Sequence, residues 1–477
     1  MEQIVNTLNS WIWSPPLIWL CLGAGLYFTI RTRFLQVRGV PEMIRLMLSG
    51  EKSPAGVSPF QALALSLSGR VGIGNIAGVA TAIYFGGPGA VFWMWVVAFL
   101  GASTAYVEST LGQIYKETDD KGQYRGGPAY YIEKAMGQRW YAWLFALVTV
   151  VATGVLLPGV QANGIAASMT NAWDIPPTAT ATLLVVALGF IIFGGVKRIA
   201  AFAQVVVPFM ALAYILVALV IMFINYAQIP EMFLLVFRSA FGMEAAFGAV
   251  LGLAIEWGVK RGIYSNEAGQ GTGPHAAAAA EVSHPAKQGY VQAFSVYVDT
   301  LLVCSATAFM ILSTGMYNVT GPDGAMLYQA LPGVEVGPGF AQNAVESILP
   351  GYGAPFVALA LLFFAFTTIL AYYYMAETNI AYINRRIHRP WTIFLLRLAL
   401  LAAVTFGTLR SAEMAWSLGD IGVGLMAWLN IIAILILQRP ALVALRDYEA
   451  QKKAGLDPTF DPEALGIRNA AFWRKRD

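Results

Sequence analysis

Long apolar runs recur along nearly the whole chain, each close to the ~20 residues that carry a helix through hydrocarbon. They predict spanning helices over residues 15-31, 59-84, 88-115, 140-165, 178-194, 199-226, 243-281 (interrupted), 288-315, 353-382, 391-408 and 414-437. The runs are rich in Ala, Leu, Val and Gly and do not alternate polar with apolar, which excludes an outer-membrane barrel. The predicted fold class is an all-α polytopic membrane protein of about 11 transmembrane helices. No basic region precedes the first run, while Arg31, Arg33 and Arg38 follow it, so it reads as an anchor and not as a cleaved signal peptide.

Composition agrees with the pattern. With 57% hydrophobic and 12% charged residues over 477 positions, the chain lacks the polar surface a soluble enzyme needs. The 2 cysteines, Cys21 and Cys304, both lie inside apolar runs, so they read as packing residues and exclude a disulfide framework. The three histidines, His275, His284 and His388, are too scattered for a metal ligand set.

The net charge of +3 conceals an asymmetry. Of the 30 Lys and Arg, 24 fall in loops on one side of the predicted spans, two (Arg238 and Arg410) on the other, and four (Arg70, Lys260, Arg261 and Arg397) within spans. The positive-inside rule then places the N-terminus outside and the C-terminus in the cytoplasm. The tail over 438-477, closing on Trp-Arg-Lys-Arg-Asp, reads either as a segment near anionic headgroups or as a solvated tail. The outer loop over 316-352 carries no Lys or Arg, and Phe340-Leu349 predicts a short surface helix that would serve as a lid.

Two spans are interrupted by polar and glycine residues. One reads S-G-R-V-G-I-G-N-I-A-G from Ser68 to Gly78, the other K-R-G-I-Y-S-N-E-A-G from Lys260 to Gly269. Both contain R-x4-N-x-A-G, with Arg70, Asn75, Ala77 and Gly78 matching Arg261, Asn266, Ala268 and Gly269 at a constant offset of 191. The first such span begins in the cytoplasm and the second outside, so the halves are inverted in topology, as in transporters whose broken helices meet at mid-membrane. Non-helical backbone is tolerated at that depth only where it lines a cavity or is buried in protein. Pro274, followed by His275 and five alanines, suits the first turn of a restarted helix. Free N–H groups at such restarts suit a carboxylate, and carbonyls freed at the preceding ends suit an ammonium group or a sodium ion. The alternative use of Gly72, Gly74 and Gly78 is close helix packing, which fits Gly78 best.

The blocks G-N-I-A-G-V-A-T-A-I (Gly74-Ile83), G-G-P-G-A-V-F-W-M-W (Gly86-Trp95), Y-R-G-G-P-A-Y-Y-I-E-K (Tyr124-Lys134) and S-N-E-A-G resemble the alanine or glycine:cation symporter family, from about residue 15 to 437. The resemblance implies a leucine-transporter-type fold, with one N-terminal helix (15-31) plus a five-plus-five core divided into inverted repeats over 58-226 and 240-437, in a single transporter domain. It implies uptake of alanine or glycine driven by sodium or, alternatively, protons, in a prokaryotic plasma membrane. The co-transported cation stands in for any cofactor, and the expected partners are the amino acid and the bilayer, not nucleic acid.

The resemblance places Gly74 and Asn75 where the first broken helix meets substrate and a neighbouring sodium ion. Thr367 and Thr368 look like the hydroxyl pair that completes a second sodium site with carbonyls near Gly69 and Val71, an all-oxygen set suited to sodium. Back-bonding to the preceding turn is the structural alternative for such a pair. Ile73 stands where many members have a small hydroxyl residue, so a side-chain contact there is in doubt while backbone contacts of Gly72 and Ile73 survive. Gln161 and Asn163 suit a substrate carboxylate or ammonium, or cross-helix bonding. Tyr264 would cap the pocket, with Ser265, Asn266 and Gly269 around the second break.

Each ionisable residue at mid-membrane costs about 2.5–3.5 kcal/mol on insertion scales and needs a partner or a function. Arg70 or Arg261 is expected to pair with Glu108, Glu267 or Asp299, and Glu377 with Arg397. Asp299, mid-helix in Y-V-D-T-L-L, is the best single candidate for a cation ligand or proton carrier. An ion or small-solute channel is the competing function, but its filter would need a ring supplied by symmetry, whereas one chain here carries its own pair of breaks. An intramembrane enzyme lacks its signs: there is no H-E-x-x-H, G-x-S-x-G or P-loop.

Overall fold

The computed structural model describes residues 2–48, 57–193 and 195–474. Lys52 and the closing Lys475-Arg476-Asp477, which enter the charge count and the tail, lie outside the described residues. Spanning elements are labelled α1 (Gln3–Arg31), α2 (Pro59–Arg70), α3 (Gly74–Gly86), α4 (Gly89–Ile114), α5 (Arg139–Trp173), α6 (Pro177–Ile192), α7 (Arg198–Ile224), α8 (Leu251–Asn266), α9 (Gly273–Ala279), α10 (Pro285–Thr314), α11 (Gly353–Ile387), α12 (Trp391–Thr408) and α13 (Ala412–Lys453).

Among the described residues, 8 helices are long and apolar enough to cross a bilayer, or 9 when α2 and α3, bent by 51°, count as one crossing. The two other predicted crossings fall on α6, a shorter apolar helix, and on the interrupted pair α8 and α9. The lipid-facing side is unmistakable on α6 and α7, where Phe190, Phe209 and Phe223 are 75%, 76% and 80% exposed. An apolar face of that kind, on helices of spanning hydropathy, is suited to hydrocarbon. The interior shows the opposite pattern, with Arg70, Glu108, Arg261, Glu267, Asp299 and Asp420 all buried.

Local sequence explains the helix starts. Ser58 and Gln61 form a reciprocal capping box at α2, with Ser58 Oγ accepting from Gln61 N at 3.1 Å and Gln61 Oε1 from Ser58 N at 3.0 Å. At α10, Pro285 follows His284, whose Nδ1 accepts from Ala286 N. The loop expected as a lid holds a short hairpin, Asn318–Thr320 with Met326–Gln329, and the helix Pro338–Glu346. Phe340, Ala344 and Val345 of that helix are fully buried, so it is packed into the protein and does not lie on its surface.

The tail departs from both readings made for it. It neither lies free nor faces lipid alone, but folds back onto the basic face of the helices. Trp473 Nε1 donates to Gln113 O at 3.0 Å, Asn469 Nδ2 to Lys134 O at 2.8 Å, and Pro458 O accepts from Ser283 Oγ at 2.8 Å. Scattered aromatics gain more from a protein groove than from water.

Candidate functional site

Both interruptions exist, and they touch. In the first, Val71-Gly72-Ile73 separates α2 from α3, which opens with a π turn over Gly74–Gly78. In the second, Glu267 takes a left-handed conformation (φ 58°) directly after α8, and Gly269 and Gly271 follow at φ 87° and 83°, where glycine alone is unstrained. A Cβ on Gly74 would stand 3.2 Å from Ser265 Cα, and one on Gly273 2.9 Å from Arg70 Nη2. The end of each broken helix thus abuts the restart of the other.

Around the first break, backbone donors are met by neutral side-chain amides. Gly72 N donates to Asn75 Oδ1 at 2.8 Å and Ile73 N to Gln161 Oε1 at 2.9 Å. Asn75 Nδ2 in turn donates to Asp299 Oδ1 at 2.7 Å and approaches Cys304 Sγ at 3.3 Å. Ser265 Oγ donates to the same Asp299 oxygen at 3.1 Å, and Thr300 Oγ1 to the other at 2.7 Å. Asn75, Ser265 and Asp299 therefore form one buried cluster. Cys304, read from sequence as packing, belongs to it as well.

Thr368 Oγ1 donates to Val71 O at 3.2 Å as well as to Phe364 O within its own helix. Among the described residues, Thr367 Oγ1 is bonded only within α11, to Phe363 O and Phe364 O, as the structural alternative predicts. Gly69 packs against Met375 and Ala371 of α11 and faces Glu267 Oε2. The carbonyl and hydroxyl oxygens of Val71 and Thr368 are hard donors of the kind a sodium ion takes.

The second break is already filled by the protein itself. Gly269 N and Gly271 N donate to the two oxygens of Glu108 at 3.2 and 3.1 Å. Asn430 Nδ2 bonds both Glu108 Oε2 (2.7 Å) and Gly269 O (2.9 Å). Both backbone groups of Gly269 are thus occupied, and Asn266 Oδ1 is turned inward to Ala268 N at 3.0 Å. Asn266 Nδ2, by contrast, is buried without a hydrogen-bond partner among the described residues. Neither Glu108 nor Asn430 was assigned a place at the breaks, although Asn430 is a lone amide in the apolar run W-L-N-I-I.

The buried charges pair differently from the expectation. Arg261 meets Asp420 through two bonds of 2.9 and 2.8 Å, and Lys260 joins at 2.9 Å. Glu377 faces Arg125 at 3.6 Å, while Arg397 donates to Tyr373 Oη. Arg70 donates to Gln292 O at 3.0 Å and to Ser295 Oγ, with no carboxylate in salt-bridge range among the described residues. The repeated letters also fall out of register with the breaks. Arg70 ends α2 before its break with Asn75 beyond it, whereas Arg261 and Asn266 both precede theirs. The letter match therefore does not mark equivalent positions.

A cavity of about 750 Å³ leads to the first break from the end of the molecule opposite the basic face. Ile73, Asn163 and Trp416 line it, with the 333–339 loop at its rim. The ring of Trp416, a lining residue, packs 4.9 Å from that of Tyr264 behind it. Asn163 uses its amide on Gly407 O and Arg410 O at 3.0 and 2.8 Å, a cross-helix tie at the cavity wall.

The sodium:alanine symporter family model matches residues 1–462. The chain belongs to the sodium:alanine symporter family. A putative sodium/proton-dependent alanine carrier protein of Bacillus subtilis is 63% identical over 475 residues, covering 100% of this chain and 98% of its own. A sodium/proton-dependent alanine carrier protein of Bacillus sp. (strain PS3) is 54% identical, covering 90% and 97%. A sodium/alanine symporter of Methanococcus maripaludis is 37% identical, covering 91% and 94%. Among solved structures, a manganese transporter of Eremococcus coleocola superposes with a TM-score of 0.52 at 13% identity, over 86% of this chain and 90% of that one, which is a likeness of fold. As a member of this symporter family the chain is an integral membrane transporter and not an enzyme.

Proposed function

We propose that this protein takes up alanine or glycine by symport with sodium, alternating access to a single site at the first helix break. The observation that carries the reading is the contrast between the two breaks. Around the second, the amide donors hold a carboxylate of the protein, Glu108; around the first, Gly72 and Ile73 donate only to neutral amides. A substrate carboxylate makes shorter, charge-assisted bonds and displaces a neutral amide oxygen from such donors. Asp299, held beside Asn75 and Ser265, supplies the negative partner for the substrate ammonium or for a first sodium ion. Val71 O, Gly69 O and the hydroxyl of Thr368 form the second sodium site, with the Thr367 hydroxyl turned back onto its own helix. Gln161, Asn163, Ile73 and Tyr264 shape the pocket.

In this reading 11 crossings comprise one N-terminal helix and inverted halves over 58-226 and 240-437. The N-terminus lies outside, the C-terminus lies in the cytoplasm of a prokaryote, and the cavity opens outward. The names of the relatives support alanine as substrate and leave proton coupling as the alternative to sodium. The test is counterflow and gradient-driven uptake in proteoliposomes with a panel of small amino acids, repeated with sodium replaced by another cation. Accumulation of alanine or glycine only under an inward cation gradient is expected; uptake indifferent to both sodium and pH gradients overturns the reading.

A further inference from the structure

The inner ends of the two broken helices are tied to each other. Val57 N donates to Ala279 O at 3.0 Å and Glu281 N to Val57 O at 3.1 Å, so the chain two residues before α2 pairs with the end of α9 and the segment that follows it. Ala280 O is held further by Gln113 Nε2 at 2.9 Å and Lys116 Nζ at 2.7 Å, from the end of α4. Any inward opening that parts α2 and α9 from α4 must break the bonds of Gln113 and Lys116 to Ala280 O.

The tail covers the group that makes them. Lys116 is 1% exposed, and its ammonium lies 4.4 Å from the Phe472 ring centroid, 5.4 Å from that of Trp473 and 4.5 Å from that of Tyr124. Trp473 also donates to the backbone of Gln113. A second set of anchors reaches the turn between α9 and α10, where Ser283 bonds Pro458 O, Lys287 meets Asp457 at 3.2 Å, and His284 packs on Phe460 at 5.3 Å. One segment therefore touches every part that the inner ends of the broken helices rest on.

We propose that residues 454–474 are a strap that holds the cytoplasmic gate shut, with Phe472 and Trp473 clamping Lys116 onto Ala280, and that lifting the strap is a required step of inward opening. The proposal rests on the orientation and the transport reading given above. The strap is poised and not fixed. Burial lowers the Lys116 ammonium from 10.5 to about 7, a strain that rehydration on lifting relieves. A cation desolvated among aromatic rings gains from them only while they stay in place.

The experiment uses full-length protein in inside-out vesicles carrying Ser109→Cys. Ser109 is fully buried in α4, two helix turns short of Lys116, and is reached from the cytoplasm only through an open inner gate. With Phe472→Ala/Trp473→Ala, labelling of that cysteine by a membrane-impermeant maleimide is expected to accelerate about fivefold or more, the size of one desolvated cation–π contact. Deletion of 455–477 should do the same. Labelling unchanged in the double variant overturns the proposal, as does a double variant that loses thermal stability without faster labelling. Failure of the unmodified protein to move alanine under any cation gradient would instead sink the transport reading and leave the labelling comparison standing.

Discussion

Gly72→Ala is the sharpest probe of the first break. The added methyl would stand 2.5 Å from Thr368 Oγ1 and 2.8 Å from Gln161 Oε1, with Thr368 Cβ at 3.3 Å. Both oxygens are engaged, Thr368 with Val71 O and Gln161 with Ile73 N, so whichever yields gives up a bond that shapes the break. Overpacking a filled site of this kind costs about 1–3 kcal/mol. If that cost falls on the state in which Val71 O and Thr368 hold sodium, the sodium concentration for half-maximal uptake rises about 5- to 150-fold. The assay is sodium-titrated alanine uptake in proteoliposomes, with Gly23→Ala as the control, because a Cβ on Gly23 meets nothing within 4 Å. A Gly72→Ala protein with unaltered sodium dependence would refute the assignment of Thr368 and Val71 to the ion. Equal damage by Gly23→Ala would refute the steric argument.

Thr368→Val should weaken sodium dependence about tenfold in the same assay, while Thr367→Val, whose hydroxyl bonds only its own helix, should change it by less than about twofold. Asp420→Asn leaves Lys260 and Arg261 buried without their anion and should cost about 3–5 kcal/mol, seen as a large fall in melting temperature in detergent. His284, at the turn beneath the strap, is pushed down from 6.5 to about 4 by burial, against the raising effect of Asp447 and with Lys287 opposing protonation. The unfolded or undocked imidazole takes up a proton below 6.5 while the docked one stays neutral, so docking weakens as pH falls from about 6.5 toward 4. Limited proteolysis of the tail across that range checks it: cleavage should rise on acidification and lose its pH dependence in His284→Gln.

Apolar run length and loop charge made the spanning helices legible, because those properties are set residue by residue. The breaks were legible through glycines and polar letters in otherwise apolar spans. The pairing was not, because partners such as Arg261 and Asp420 are 159 residues apart and no local pattern links them. The four-letter repeat misled for a related reason: it matched composition around two kinks without fixing where the helix stops. Asn75 and Asp299 were singled out separately, and only the fold shows that they bond each other. The strap was invisible because Phe460, Phe472 and Trp473 sit among charged residues with no periodicity.

The clamp of Glu108 on Gly269 and Gly271 bears on stoichiometry. A molecule with two facing interruptions has two cradles for an anion, and here one is tenanted by a residue of its own. On the transport reading proposed above, one carboxylate would travel per cycle. A dicarboxylic amino acid would bring its second acid group against Asp299 or Glu108, which makes the filled cradle a filter for charge.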